Sequence, residues 1–500
     1  MKKLDWRLAS AFTVVGLMAA TGVANAAGFG LKETSASFQG TSFAGYGSGK
    51  GDLSTMFANP ATMTSMKESG IDATVNIIMP SIKFTKTEAT ALDNPLAGTF
   101  ANTTGDTGGD SGRTGVTPAI YAMWSARPDL KLGLGITVPY GLKTEYNANW
   151  VGRYRGVRSE IRSINLNPNL AYKLSEKLSV GAGFQLQYIQ AKLSRQVDYA
   201  GTAKLIGAGL PAAFGGPQAM ALVTQSQDVL TDITGDDWSF GANLGMLYEF
   251  TEATRLGVFY RSSVSHKLRG KTSTQNRAAA LANVTASNGN LLNGAAQAAL
   301  GLPAGTTWGQ AIAGAMASGS AAANIPATPN SGDSASAPLQ TPESIGLSLT
   351  HDITPNWSVM GDLVWTHWSR LKNLRIDFQR ANVRSSGEVL NWKDTVFAAL
   401  GTTYKPHQDW KLKFGLAFDQ GAADDNRAPR LPDTNRYWIS AGADWNPMHR
   451  LNLSLGYSFL FAKSAGIYLN RDLANGVTDS LKGSFKSRVH VVALKASYSF

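Results

Sequence analysis

Apolar and polar residues alternate along most of this chain. Leu130, Leu132, Leu134, Ile136 and Val138 oppose Lys131, Gly133, Gly135 and Thr137; Leu412, Phe414, Leu416 and Phe418 oppose Lys411, Lys413 and Asp419. A period of two sends successive side chains to opposite faces of a β-strand. Each such stretch therefore predicts a strand with one apolar side. Fourteen can be marked: 71–85, 116–126, 130–146, 158–174, 178–197, 238–250, 255–268, 343–352, 357–378, 389–404, 410–419, 437–445, 450–461 and 488–500. The last places Val492, Leu494, Ala496, Tyr498 and Phe500 on one face, as a strand that closes an outer-membrane barrel against the first would. Every second connector is tight: 127–129, 175–177, 251–254, 353–356, 406–409 and 446–449. Short turns on one side and long loops on the other predict an all-β fold, a transmembrane antiparallel β-barrel of about 14 strands. A soluble multi-sheet protein has no reason to alternate its loop lengths so regularly.

Two regions stand outside the alternation at the N-terminus. Residues 1–26 have Lys2, Lys3 and Arg7, then an apolar run from Leu8 to Ala20, then Ala24-Asn25-Ala26. This is the pattern of a secretory signal peptide with an A-x-A cleavage site, so the mature chain is expected to begin at Ala27. Residues 27–68 are rich in Gly, Ser and Ala, with Phe29, Phe38, Phe43 and Phe57 spaced among them. They read as a packed plug of small residues, ended by the turn signal Asn59-Pro60-Ala61.

Two long connectors, 198–236 and 271–340, carry helix-sized apolar pieces such as Ala219–Val223, Ala278–Ala282 and Ile312–Ala317. Loops of that length are usually functional or disordered. So much Leu, Met, Ile and Ala predicts a pair of apolar lids that face water and catch greasy molecules.

Composition narrows the chemistry. After residue 26 no stretch has 18 consecutive apolar residues, which excludes transmembrane helices. The 52 Gly suit turns and barrel bends, and the 12 Trp, 15 Tyr and 20 Phe suit interfacial girdles. With no cysteine there is no disulfide, thiolate metal site or Cys nucleophile. Loss of Lys2, Lys3, Asp5 and Arg7 with the signal would leave about +9 of the net charge of +11. No basic cluster with interleaved aromatics accompanies that excess, so it suits an anionic membrane surface better than nucleic acid. The run GYGSGKG at 45–51 fails as a phosphate loop: Ala44 replaces its first Gly and Gly51 its Mg²⁺-binding Ser/Thr. His266, His351, His367, His407, His449 and His490 are scattered, with no HExxH or GxSxG, so no enzyme, metal or cofactor is expected.

The plug sequence SFQGTSFAGYG…DLSTMFANPA, the run from Trp238 to Phe250 with Tyr260-Arg261-Ser262, and the runs from Ala399, Phe414 and Leu431 resemble the FadL family of outer-membrane transporters of long-chain fatty acids and hydrocarbons. The resemblance implies a fourteen-stranded barrel plugged by an N-terminal hatch, with 198–236 and 271–340 at the positions of the family's two ligand-groove loops. It implies uptake of hydrophobic compounds, long-chain fatty acids first, by a monomer embedded in outer-membrane lipid and lipopolysaccharide. Aromatic or aliphatic hydrocarbons, or a non-selective porin, remain the alternatives. Movement of the hatch near Asn59, Pro60 and Ala61 would open the pocket. Pro139, Tyr140 and Gly141 interrupt the third strand, where the family has an inward kink that opens the wall sideways to the bilayer. Arg195 and Arg261 fall on lumen-facing sides by alternation and are the candidate headgroup ligands.

Overall fold

In a computed structural model the described residues are 28–94, 99–209, 228–286, 289–319, 327–423, 427–474 and 477–500. The expected signal peptide, and the apolar run 219–223, lie outside them. The strands form one closed antiparallel barrel of fourteen. In chain order they are β1 Gly70–Asn94, β2 Gly115–Ser125, β3 Leu130–Thr137 with a continuation Gly141–Glu145, β4 Arg158–Lys173, β5 Leu178–Val197, β6 Val229–Glu249 and β7 Thr254–Arg261. Then come β8 Ser344–Thr354, β9 Trp357–Thr366, β10 Thr395–His407, β11 Trp410–Asp419, β12 Arg436–Met448, β13 Leu451–Ala462 and β14 Val477–Ser499. β14 closes on β1, with Tyr498 opposite Ile71 and Val491 opposite Ile78.

Burial is inverted relative to a soluble protein. Leu412, Phe414 and Leu416 are each 47% exposed on the outside, whereas Lys413 beside them is 9% exposed and Lys131 only 1%. The same inversion runs around the barrel, so the apolar faces form an outward belt that only lipid can cover. Aromatic pairs edge it: Trp410 stacks on Trp445 at the short-turn end, and Phe418 meets Tyr437 at the other. No helix among the described residues is long and apolar enough to cross a membrane.

Several strands outrun their alternation. β6 begins at Val229 rather than 238, β14 at Val477 rather than 488, and β7 continues after a break as Val264–Gln275. Beyond the belt the outer face meets water while inner residues such as Phe485 and Val229 pack on loop clusters, so the ladder goes on while the outward apolar period fades. The segment read as one strand from 357 to 378 divides, because the chain leaves the wall at a 3₁₀ turn, Trp368–Arg370, and re-forms a hairpin with Asn373–Phe378 and Ser386–Val389. The long connectors hold helices Tyr199–Gly209, Arg277–Ala286, Gly294–Leu300 and Trp308–Ser318.

Candidate functional site

The inner segment, residues 28–68, fills the barrel lumen as a series of capped turns. Ser35 caps Ala36–Gln39, Asp52 caps the 3₁₀ turn Leu53–Phe57, and Asn59 caps the next, Pro60–Ser65. Asn-Pro-Ala is thus an N-cap followed by Pro at the first helical position, and it starts a turn within the segment instead of ending it. Side chains tie the segment to the wall all round. Gly45 N–H donates to Asp362 (2.6 Å), Ser42 to Ser440 (2.7 Å) and Thr64 to Ser179 (2.7 Å). Lys495 reaches Asp52 at 2.7 Å, and Lys413 bridges Asp444 at 2.7 Å while donating to Ser37. Lumen-facing glycines permit this closeness: a Cβ at Gly257 would lie 2.0 Å from the carbonyl oxygen of Gly47, and one at Gly415 would lie 2.1 Å from the backbone of Thr41.

Asn59 is fully buried and makes three bonds. Its Nδ2 donates to the carbonyls of Gly47 (2.8 Å) and of Met246 in β6 (2.9 Å), and its Oδ1 accepts from Ala61 N–H (3.0 Å). Asn59→Ala removes the cap and leaves two carbonyls short of a donor. We expect a loss of about 2–4 kcal/mol, read as accelerated proteolysis of the inner segment in detergent-solubilised protein.

Glu33 is 3% exposed, and its Oε2 has no hydrogen-bond partner among the described residues. Burial raises its pKa from 4.5 to about 7. A raised folded pKa means that the folded state holds the proton, so this group's stabilisation is complete below pH 4.5 and lost as pH rises through 7. Glu33→Gln should therefore raise stability at pH 8 by up to about 3 kcal/mol, read as a higher unfolding midpoint, and leave it unchanged at pH 4.

β3 breaks where the sequence places Pro139-Tyr140-Gly141. Residues 137–142 are all buried, ending the alternation, so the strand turns into the lumen. β2 pairs with β3 only from Ile120 opposite Ile136 to Ser125 opposite Lys131. Above that the broken edge bonds to the inner segment: Leu31 N–H donates to Pro139 O (2.8 Å) and Gly141 N–H to Phe29 O (2.9 Å). Ser163 of β4 holds Tyr140 from the other side, accepting its N–H (2.9 Å) and donating to its carbonyl (2.6 Å).

Beside this break lies a narrow cavity of about 150 Å³, which a long ligand would have to widen by moving the inner segment. Leu31, Phe43, Tyr46, Phe57, Phe259, Val364, Trp368 and Phe397 give it apolar walls, and Pro139 and Tyr140 form its edge at β3. Two cations face it. Arg261 donates to Gln185 and to Phe57 O (2.6 Å) and lies over the Phe57 ring at 4.1 Å. No carboxylate lies within 4.0 Å of it among the described residues. Lys32 sits 3.9 Å over the Phe397 ring, and burial lowers its pKa while Asp419, Glu33 and Asp362 oppose that shift. Of the residues anticipated from sequence, the fold brings Pro139, Tyr140 and Arg261 together. Asn59–Ala61 stand one residue beyond the cavity-lining Ala58. Gly141 adjoins the same edge. Arg195, in β5 opposite Thr231, is not a lining residue. Its alternation placed it on a face but not at a height. Lys32 gave no sequence signal, because it sits in a stretch without period and meets Arg261 only through the fold.

The long loops differ from water-facing apolar lids. Tyr199, Ala203, Ala280, Val284, Ile312 and Met316 are buried against one another, which joins helices of both loops into one cluster. Tyr199 Oη also donates to Thr328 (3.0 Å).

Residues 17–500 match the family model for outer membrane protein transport proteins (OMPP1/FadL/TodX). The chain is 28% identical over 455 residues to the long-chain fatty acid transport protein of Escherichia coli K12, covering 88% of this chain and 89% of that one. Among solved structures it is similar to a FadL homologue of Pseudomonas aeruginosa, with TM-score 0.76, 24% identity, and coverage of 95% and 100%. It is also similar to the toluene transporter TodX of Pseudomonas putida, with TM-score 0.59, 15% identity, and coverage of 95% and 99%. An inside-out barrel, a filled lumen and a family match across nearly the whole length converge: the chain belongs to the OMPP1/FadL/TodX family of transport proteins, and is an outer-membrane transporter of hydrophobic compounds, not an enzyme.

Proposed function

We propose that this chain takes up long-chain fatty acids, acting as a monomer. The observation that supports this reading is the pairing of an apolar cavity with Arg261, a cation held by neutral partners and an aromatic ring. An alkyl tail gains roughly 0.8 kcal/mol for each CH₂ moved out of water. A carboxylate headgroup supplies an anion for Arg261, which has no carboxylate within 4.0 Å among the described residues, whereas Lys32 already has Asp419, Glu33 and Asp362 nearby. A hydrocarbon would use the same walls and leave Arg261 without an anion.

Capture starts on the helical cluster of the two long loops, whose helices part to offer apolar surface. The inner segment acts as a hatch: a shift near Asn59–Ala61 frees the ligand from Phe57 and Ala58. Exit runs sideways at the β3 break, because β2 lacks a β3 partner there and the bonds of Phe29 and Leu31 take its place on the broken edge.

Replacing Pro139-Tyr140-Gly141 with Val-Thr-Val restores donors and strand-forming side chains. The expected result is oleate binding within threefold of wild type in detergent and cellular oleate uptake reduced at least tenfold. Unchanged uptake by the folded variant would remove the lateral exit from the mechanism.

A further inference from the structure

The outward face of the β13–β14–β1 seam carries a basic patch that transport does not use. On β14 the outward residues run from Tyr498 through Leu494 and Val492 to His490, Arg488, Lys486 and Lys482. The belt therefore gives way to cations within a few residues. Lys486 lies directly opposite Lys83 of β1, and Arg488 lies between Ser81 of β1 and Phe461 of β13. Lys463, also exposed, follows the end of β13 two residues beyond Phe461, the partner of Arg488. Two lysines thus face each other directly across β14 and β1, and a third follows the adjoining strand.

Like charges directly opposite in an antiparallel pair are destabilising. Yet no carboxylate lies within 4.0 Å of Lys83, Lys463, Lys486 or Arg488 among the described residues. The nearby acids are engaged elsewhere: Glu88 pairs with Lys482 at 3.0 Å, and Asp110, which bridges to Lys83 through the backbone, accepts from Ser81 Oγ (2.6 Å) and Ile82 N–H (2.7 Å). A set of cations with no acid in ion-pair contact, on a wall otherwise built for lipid, calls for an external counter-charge. Height identifies its source. Strands rise about 3.4 Å per residue and tilt about 40°, so Lys486 lies roughly 30 Å above Tyr498 along the barrel axis. That is just past an apolar band of about 25 Å, at the level of the outer lipid headgroups. Phe461, Tyr457 and His490 lie immediately below, with Tyr457 Oη 2.8 Å from His490 Nδ1. A ligand there meets aromatic surface with its tails and ammonium groups with its head.

We propose that Lys83, Lys463, Lys486 and Arg488 form a binding site for the phosphate groups of an outer-leaflet glycolipid, lipopolysaccharide, seated on the barrel's closing seam. Charge-assisted hydrogen bonds to phosphate oxygens relieve the Lys83–Lys486 repulsion and clamp β14 to β1 where the barrel closes. The site concerns the lipid around the transporter and is independent of its cargo.

The test uses full-length mature protein in a zwitterionic detergent, with thermal unfolding followed as bis-phosphorylated lipid A is titrated. Dephosphorylated lipid A and inorganic phosphate are the comparison probes. Wild type should gain a midpoint shift of several degrees from lipid A, much less from the dephosphorylated form, and none from inorganic phosphate. In 0.5 M NaCl the shift should largely vanish. Lys83→Gln/Lys486→Gln/Arg488→Gln should weaken lipid A binding at least tenfold, whereas Lys405→Gln/Lys411→Gln near the short turns should not. Equal shifts from both forms of lipid A would overturn the proposal in favour of apolar contact alone, and an equal shift from inorganic phosphate would reassign the patch to a free anion. Retention of the full shift by the triple variant would also overturn it. If that variant does not fold, the salt and dephosphorylation arms on wild type decide.

Discussion

Arg261→Gln is expected to weaken oleate binding by one to two orders of magnitude while leaving toluene binding within a factor of two. Gln keeps much of the side chain's length and can still donate to Phe57 O, so the cavity wall persists. What it loses is the only guanidinium facing the cavity among the described residues, which Gln185 and Phe57 O already hold in place. Hydrogen bonds to charged groups are worth roughly 1.5–3 kcal/mol, which converts to a factor of about ten to a hundred. Lys32 supplies the second cation. Because burial lowers its pKa, its charge is lost below the usual lysine range, and oleate affinity should decline as pH rises toward that range even in the Arg261 variant. Oleyl alcohol, with the same tail and no charge, should bind both proteins alike. Equal loss of oleate and toluene would mean that Arg261 only shapes the wall.

Lys495→Met should be the most destabilising single change in the lumen. Lys495 is 5% exposed and serves two buried acids, Asp52 of the inner segment at 2.7 Å and Asp72 of β1 at 3.9 Å. Burial alone would raise the Asp52 pKa. The Lys495 ammonium overcomes it and, with the Ser54 hydroxyl, holds the carboxyl well below the usual range. Removing one partner of a buried ion pair costs about 3–5 kcal/mol, chiefly because the remaining charge is left unpaired. Asp52 also caps the turn Leu53–Phe57 through Ser54 N–H at 3.0 Å, so the damage passes to Phe57 and the cavity floor. The expected result is a lower thermal midpoint and rapid protease cleavage within residues 28–68. Adding Asp52→Asn and Asp72→Asn should recover most of the loss. A single variant as stable as wild type would show that water reaches the pair.

The barrel was legible because lipid imposes its period on the wall: the sets at 130–136 and 410–419 are outward apolar and inward polar in the structure as in the sequence, whereas Val138 has turned into the core. The strand count followed from the alternating stretches, and the break in β3 from Pro139 and Gly141. Where lipid contact ends, the signal ends. β14 from Val477 and β6 from Val229 continue as backbone ladders whose inward residues, such as Phe485 and Val229, pack on apolar clusters of the loops and not on lipid. The loop apolar runs 278–282 and 312–317 are helical, as read, but were expected to face water. A period of 3.6 specifies a face and not its partner, and here the partner is the other loop, hundreds of ångströms of extended chain away in sequence terms yet adjacent in space. Within the candidate site, Arg261 was reachable from alternation alone. Lys32 comes to the cavity, and Asp52 to Lys495, only when the inner segment is threaded through the closed barrel.

The most direct test is saturable uptake of labelled oleate by cells that carry this chain as their sole transporter of the family, read beside toluene binding and conductance of the purified protein. Saturable oleate uptake, lost in Arg261→Gln and in the strand-restored β3 variant, with a silent planar bilayer, is the result predicted. Folded protein that conducts ions, binds neither compound and gives no uptake would contradict a fatty-acid transporter and leave an open pore.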